Sequence, residues 1–571
     1  MASIIKKNIR GKPYYYARES KRVDGRPKIV WQKYLGTPQQ IIDVMTGKGA
    51  DHNTRAPSEA LITEFGAVVA LHSLAERLRL AKIIDKHVPK RGSGPSVGAY
   101  LVTAAVNRCV APRSKTKIGE WFAGTALRRL LDIESRQLTS QRFWDNMDRV
   151  SDKAIAKIEE EITAHMVKEF NIDLRRVLFD GTNFFTFIDT FNDHCTIAQR
   201  GKNKEGRRAL RIVGLALLVS ADFHVPLFHH TYPGNQTDAP TFNGLISELS
   251  ARYKAICKEA EEVTIVFDKG NNSLDNLTQV EQSPYHFVGS LVPTHHTDLL
   301  AIPAKRYRSL ADDGLEGVRA YRTQKEVFGK ERTVLITYND NLFVAQSRTI
   351  LREIGKRQSA LREIQARLRR WHEGKTRRGK PPTVKGVEKK VEALLKGQHM
   401  KTLFHVEVTE RKDLPCLKYR FDKSAWERLQ KTQLGKTIIF TDNDHWNDAE
   451  IVRGYRSQYH VEESFRTMKD PHHIAIRPQR HWTDQKITVH VFYCVLALML
   501  VSLLRRELHL KGIEKSIPDI LDTLTEIREV GVVYPPEGRK KNPTIKTVLS
   551  RMSAQQRAMY EALDLERYRA R

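Results

Sequence analysis

The chain has 571 residues, too many for one compact core, so three or four domains or sub-domains are expected. Its 40% hydrophobic content excludes a disordered protein, and a formal net charge of +29 opposes folding by self-repulsion. So much like charge points to a polyanionic partner, either nucleic acid or an anionic membrane surface. The five cysteines, Cys109, Cys195, Cys257, Cys416 and Cys494, are widely spaced without a C-x-x-C pair, which excludes a disulfide framework or a zinc ribbon. The opening MASIIKKNIRGK lacks the apolar core of a secretory signal. The longest apolar run, VFYCVLALMLVSLL (491–504), falls short of the roughly 20 residues that span a bilayer and reads as a buried core helix. Membrane binding is therefore set aside; nucleic acid and a cytoplasmic location remain.

Residues 1–45 form the first element. Residues 1–36 hold ten Lys/Arg against two Asp/Glu, and two aromatic or apolar stretches flank Asp24-Gly25, a two-residue turn signal for a basic β-hairpin. A polar stretch near 45–58 reads as a linker. From 59 to 170 the apolar spacing is helical (LITEFGAVVALHSLAERL, IAKIEEEITAHMVKEF), with Pro112, Arg113, Lys115 and Lys117 in a basic corner, so a helical DNA-binding domain is expected.

From 172 to 291 the pattern becomes α/β. Short apolar strands are predicted at RRVLFD (175–180), ALRIVGLALLVS (209–220), VPLFHHTY (225–232) and VTIVFD (263–268), with a helix over 238–262. Two of these strands end on an acid, Asp180 and Asp268. A carboxylate at the end of a buried strand is costly unless a cation meets it.

Over 292–435 that rhythm breaks. Strand-like pieces (GVRAYRTQ, RTVLITY, LFHVEVTE, CLKYRF) bracket a polar helical region, 346–396, that carries sixteen Lys/Arg against five Asp/Glu. The excess of cations suits a helical hairpin that tracks phosphates; a solvated hairpin is the plainer alternative. The α/β pattern resumes over 436–510 with KTIIFTDN and a helix from about 447 to 470, and a basic helical tail is expected over 511–571.

In GYRSQYHVEESFRTMK (454–469), Tyr455, Glu462 and Lys469 are spaced by seven, so one helix presents them on a single face, joined by Arg466. Val461, Phe465 and Met468 form a separate apolar stripe. Alone, such a helix is most simply an exposed Glu–Arg pair. Together with two strand-borne Asp residues, its Glu completes a set of hard oxygen donors that suits a pair of Mg²⁺ ions for phosphoryl transfer, with the cations gripping the DNA strand.

The sequence DGTNFFTF, then YPGNQTDAPTF, VFDKGNNS and Tyr455-x6-Glu462-x6-Lys469 resembles the DDE transposases of bacterial insertion sequences. The branch it resembles has a β-rich insertion and a Tyr-Arg-Glu-Lys signature. The resemblance implies an α/β chain whose RNase-H-like mixed-sheet catalytic domain is interrupted by a β-rich and helical insertion. It also implies catalysis by Asp180, Asp268 and Glu462 with two Mg²⁺ (or Mn²⁺) ions, and DNA contact by Tyr455, Arg456, Arg466 and Lys469. The expected partners are double-stranded terminal repeats and target DNA, bound by a homodimer in a bacterial, nucleoid-associated setting. Glu463 is the rival to Glu462; the family motif takes the first of the pair. The signature's arginine is replaced by Gln458, for which Arg453, Arg456 or Arg466 could compensate. Asp189, Asp193 and Asp222 read as loop acids, Thr182 and Asn183 as supporting or turn residues, and the histidines 472, 473, 481 and 490 as packing or DNA contacts rather than zinc ligands. The expected activity is cut-and-paste transposition; a nuclease without strand transfer and a non-catalytic DNA-binding descendant are the alternatives.

Overall fold

A computed structural model describes the whole chain except residues 1, 10, 24–25, 46–56, 91, 93, 190, 202–208, 237–262, 377–378, 478, 537–541 and 571. The expected Asp24-Gly25 turn, most of the linker and the helix over 238–262 therefore lie outside the described residues.

Two units form. The smaller comprises Met1–Phe65, Ile527–Met552 and Arg569–Arg571. Its first 36 residues build three antiparallel strands (Ala2–Ile9, Lys12–Val23, Arg26–Gly36) instead of a simple hairpin, because Ile4 and its neighbours pair with the tyrosine run. A second three-stranded sheet joins Glu59–Glu64 to Arg528–Tyr534 and Thr544–Leu549. This corrects two expectations. The start of the helical region, EALITE, is a strand, and the C-terminal tail contains two strands besides the helices Ile517–Thr525 and Ala554–Ala562. The physical reason is long-range pairing: Leu61 finds Gly531 across the sequence, which no local period reveals.

The larger unit spans Gly66–Glu526 and Ser553–Tyr568. It opens with helices, among them α1 (Gly66–Arg77), α2 (Val97–Val110) and α3 (Asp152–Phe170). Ser96 and Ser151 cap α2 and α3 by accepting from Ala99 N and Ala154 N.

One nine-stranded mixed sheet follows. Its strands are β1 (Arg176–Phe185), β2 (Ile212–Ser220), β3 (Pro226–Pro233), β4 (Val263–Phe267), β5 (Tyr285–Leu291), β6 (Arg308–Ser309), β7 (Val318–Val327), β8 (Lys330–Asn339) and β9 (Lys436–Thr441). The spatial order is β6-β7-β8-β9-β5-β4-β1-β2-β3. β1, β4 and β5 run parallel to one another, and every other neighbouring pair is antiparallel. β2 and β4 are buried along their whole length, as their unbroken apolar runs require of central strands.

The strands GVRAYRTQ and RTVLITY, expected inside a separate insertion, are β7 and β8 and extend this same sheet through β9. Buried Val334, Leu335 and Ile336 on β8 explain the attachment. Beyond β8, the 33-residue helix α4 (Asp340–His372) buries Ser347, Ile354, Leu361 and Leu368, one residue every seven. This stripe packs with Val387, Val391, Leu403, Phe404 and Leu417 in a core of its own, roofed by the hairpin Phe404–Arg411/Leu414–Phe421.

Helices α5 (Asp448–Arg456), α6 (Tyr459–Lys469) and α7 (Asp484–Leu510) follow, and Ile517–Thr525 and Ala554–Ala562 also belong to this unit. α7 is longer than the apolar run suggested, at 27 residues, and long and apolar enough to cross a membrane by length and composition. Of its most apolar stretch 94% is buried inside the unit, against α1, α2 and β3, so it serves here as the central core helix.

Candidate active site

β1 and β4 pair in parallel with Phe179 opposite Phe267, which sets the next residues, Asp180 and Asp268, on neighbouring strands at one level. Adjacent strands lie about 4.8 Å apart, so the two carboxylates start from neighbouring backbones. Asp268 stands just past β4 with extended backbone (φ −84°, ψ 160°). Asp180, expected at a strand end, instead lies mid-strand: β1 continues to Phe185, which pairs with Ile212 of the longer β2. Both acids are half-buried. Asp180 Oδ1 accepts from Gly181 N at 2.7 Å.

After Asp268 the chain turns sharply. Asn271 N bonds Asp268 O, Asn276 Nδ2 donates to Asn271 O at 2.7 Å, and Ser273 caps the helix Leu274–Glu281 by accepting from Asn276 N. Asn272 Nδ2 donates to Ser290 O on β5, also at 2.7 Å. The asparagines and serine of KGNNS are thus the bracing of this turn. Ser290, fully buried, points its hydroxyl at Asp268 Oδ1, 3.5 Å away. Sequence reading missed Ser290, because one serine in an apolar strand carries no signal.

The segment GYRSQYHVEESFRTMK is two helices, not one. α5 ends at Arg456 and α6 starts at Tyr459. Across the join, Gln458, His460 and Val461 donate their N–H groups three residues back, to Tyr455, Ser457 and Gln458. Ser457 Oγ also donates to Gly454 O at 2.6 Å, a side-chain bond that competes with the regular ladder. The turn is tightened toward three residues. The seven-residue argument therefore does not hold across it. Burial raises the Tyr455 phenol above its ordinary value; its hydrogen bond with Ser290 works against this, and the charges of Asp268 and Glu462 reinforce it. Tyr455 thus sits among Ser290, Asp268 and Glu462.

On α6 the stripe Val461, Ser464, Phe465 and Met468 is buried against β1 and α7, leaving Glu462 and Arg466 exposed. Glu463 turns elsewhere: its Oε1 meets Arg505 of α7 at 3.3 Å and its Oε2 faces His224. Among the described residues neither Asp268 nor Glu462 has an ion-pair partner. Lys469, at the end of α6, donates to Thr182 Oγ1 at 2.8 Å. Thr182 is two residues beyond Asp180 and so on the same face of β1.

The structure therefore joins Asp180, Thr182 and Lys469 into one group and Asp268, Ser290, Tyr455 and Glu462 into another, with the two Asp residues abreast. Arg456 is half-buried, and burial lowers its basicity. Arg453 donates to the carbonyl of Asp313 and lines a 460 Å³ cavity with Arg175, Arg176 and Trp446, which leaves it committed away from this group. Asp189 caps its own turn at Phe191 N, Asp193 pairs with His194, and Asp222 binds Arg506 at 3.0 Å. His473 and His490 are buried against the carbonyls of Cys109 and Ile476. No sequence reading joined His224 to His460 and Glu463, because 236 residues (460 − 224) separate His224 from His460.

Asp180, Asp268 and Glu462 offer oxygen donors only, the type of ligand that suits Mg²⁺ or Mn²⁺. No protein of curated function matches the chain. Among solved structures, the piggyBac transposase in a synaptic complex with hairpin DNA is similar at 11% identity, covering 82% of each chain with a TM-score of 0.33. The family model described as the transposase DDE domain matches residues 173–500, more than half of the chain and all of the group just described. The chain belongs to the DDE transposase family.

Proposed function

We propose that this protein is a DNA transposase that cleaves the ends of its element and joins the freed 3′-hydroxyls to target DNA, with Asp180, Asp268 and Glu462 as its catalytic acids. The observation that carries this reading is the register of β1 and β4, which sets Asp180 and Asp268 abreast, with Tyr455 linking Asp268 to Glu462. The strand order β3-β2-β1-β4-β5, with β1, β4 and β5 parallel, supports an RNase-H-like core. Asp180, Asp268 and Glu462 would hold two Mg²⁺ ions, which when bound supply activation of the attacking hydroxyl and neutralisation of the departing oxygen.

The chain's own groups do the rest. Lys469, aimed by Thr182, offers a fixed cation beside Asp180 for a backbone phosphate. Tyr455, whose phenol is held protonated by burial and by carboxylate charge, serves as a donor to the DNA strand and not as a base. Arg466 is exposed on α6, the helix of Lys469, where it can meet phosphate, and Arg456 is the nearer substitute in sequence for the arginine missing at Gln458. In hydrolysis, water adds to phosphorus and the 3′-oxygen leaves as a hydroxyl; in strand transfer that hydroxyl replaces water. We also propose that the basic helical segments bind terminal-repeat DNA, that two copies pair the ends, and that the work is done in the bacterial cytoplasm.

The test is purified protein with DNA carrying the element's ends, in Mg²⁺ or Mn²⁺. The expected products are nicked ends and strand-transfer joints. Asp180→Ala, Asp268→Ala or Glu462→Ala should each lower cleavage by roughly 10³-fold or more, while end binding changes little. Cleavage without joints would make the protein a nuclease, binding without cleavage would make it a DNA-binding descendant, and cleavage retained by Asp180→Ala would overturn the site.

A further inference from the structure

Beside Glu462, α6 also carries His460 and Glu463, which form a cluster with His224. His224 sits in the tight β2–β3 turn with left-handed backbone (φ 54°), directly after Phe223, which is also left-handed (φ 55°). Two successive side-chain-bearing residues in that region strain the turn, and such strain persists where something else fixes the geometry. The His224 ring stacks on that of His460 with centroids 4.0 Å apart. His460 Nδ1 is buried and has no hydrogen-bond partner. Glu463, three residues on and therefore on the same helical face, divides its oxygens. Oε1 is taken by Arg505, while Oε2 faces His224 Nδ1 at 3.9 Å, too long for a hydrogen bond.

One donor atom from each of the three residues lies within 4.8 Å of the others. Around a tetrahedral ion with bonds of about 2.0–2.1 Å such atoms stand roughly 3.4 Å apart, so a closure of about 1 Å would complete the set. Two imidazoles and one carboxylate are the donors of a late first-row divalent ion, unlike the all-oxygen catalytic group. Arg505 holds the carboxylate from outside, in the manner of the groups that orient metal ligands.

We propose that His224, His460 and Glu463 bind one Zn²⁺ ion, separate from the catalytic metals, which pins the helix bearing Glu462 to the β2–β3 turn. The inference does not depend on the transposase reading, since it concerns ion binding alone.

The full-length protein, stripped with EDTA, is dialysed against limiting Zn²⁺ in excess Mg²⁺, and bound zinc is measured by atomic absorption. Co²⁺ is then used as a spectroscopic probe. Wild type and D180N should each retain one Zn²⁺ per chain and show visible d–d bands with Co²⁺, and Zn²⁺ should raise their Tm. H224N and H460Q should each bind at least tenfold more weakly and lose the Tm shift. Asparagine keeps the left-handed turn and glutamine keeps the helix, so both variants should fold, which circular dichroism checks. A wild type that retains no zinc, or unchanged retention in both variants, would overturn the proposal.

Discussion

Glu462 and Glu463 are adjacent in the chain and about 100° apart around α6, and that angle separates their fates. The charge of one reaches Tyr455, while the other is held by Arg505. The sequence favoured Glu462 by its spacing and by motif, and the ion pair of Glu463 is consistent with the proposal that Glu462 is the catalytic acid. Ser290 and the partnership of Lys469 with Thr182 were not legible, because both depend on which strand lies next to which. A residue-scale prediction concerns His481. Its ring packs beside the buried His490, which lies next to Tyr493 and Lys115. Burial first, then Lys115, Arg108 and Lys486, push His481 down to about 3. The unfolded state, with an ordinary histidine near 6.5, binds the extra proton between those values. Stability is therefore complete above about pH 6.5 and is lost as pH falls toward 3, at up to about 1.4 kcal/mol per pH unit for one proton. Urea midpoints measured from about pH 7 to 4 should fall, and His481→Gln should flatten the slope.

Strands and helices were legible to the extent that they carried their own period. Apolar runs announced β2 and β4, and the spacing of Val461, Phe465 and Met468 announced the buried side of α6. The break at Ser457 and Gln458 was hidden, since it arises from a serine hydroxyl competing for a backbone carbonyl. β5 offers a test at this scale. A Cβ on Gly289 would stand 2.8 Å from a Phe440 ring carbon and 3.1 Å from one of Phe267. Both rings are fully buried on strands that flank β5, so neither can retreat cheaply. Gly289→Ala should cost about 1–3 kcal/mol in chemical denaturation. Because Ser290 is its neighbour, cleavage should fall more than DNA binding does.

At the scale of the molecule, charge was readable and connectivity was not. The formal +29 pointed to nucleic acid, but nothing local revealed that β7 and β8 extend the catalytic sheet or that strands near both ends of the chain pair. If the basic surface grips phosphates, affinity for DNA should fall about 10³-fold or more between roughly 50 and 200 mM salt. A flat salt dependence in filter binding would remove phosphate contact as the use of that charge.

The sheet is also assembled out of chain order. β5 meets β9 only after the whole of β6–β8 and α4 has been made, and Glu462 follows Asp268 by 194 residues (462 − 268). At synthesis rates of about 5–20 residues per second, the nascent chain spends roughly 10–40 s carrying two acids without the third. If Asp180, Asp268 and Glu462 are the catalytic acids, as proposed, the chain cannot cut DNA during that interval. On the same proposal, a chain that ends between Asp268 and α6 should not cleave DNA, so the order of synthesis would delay cleavage until α6 is made.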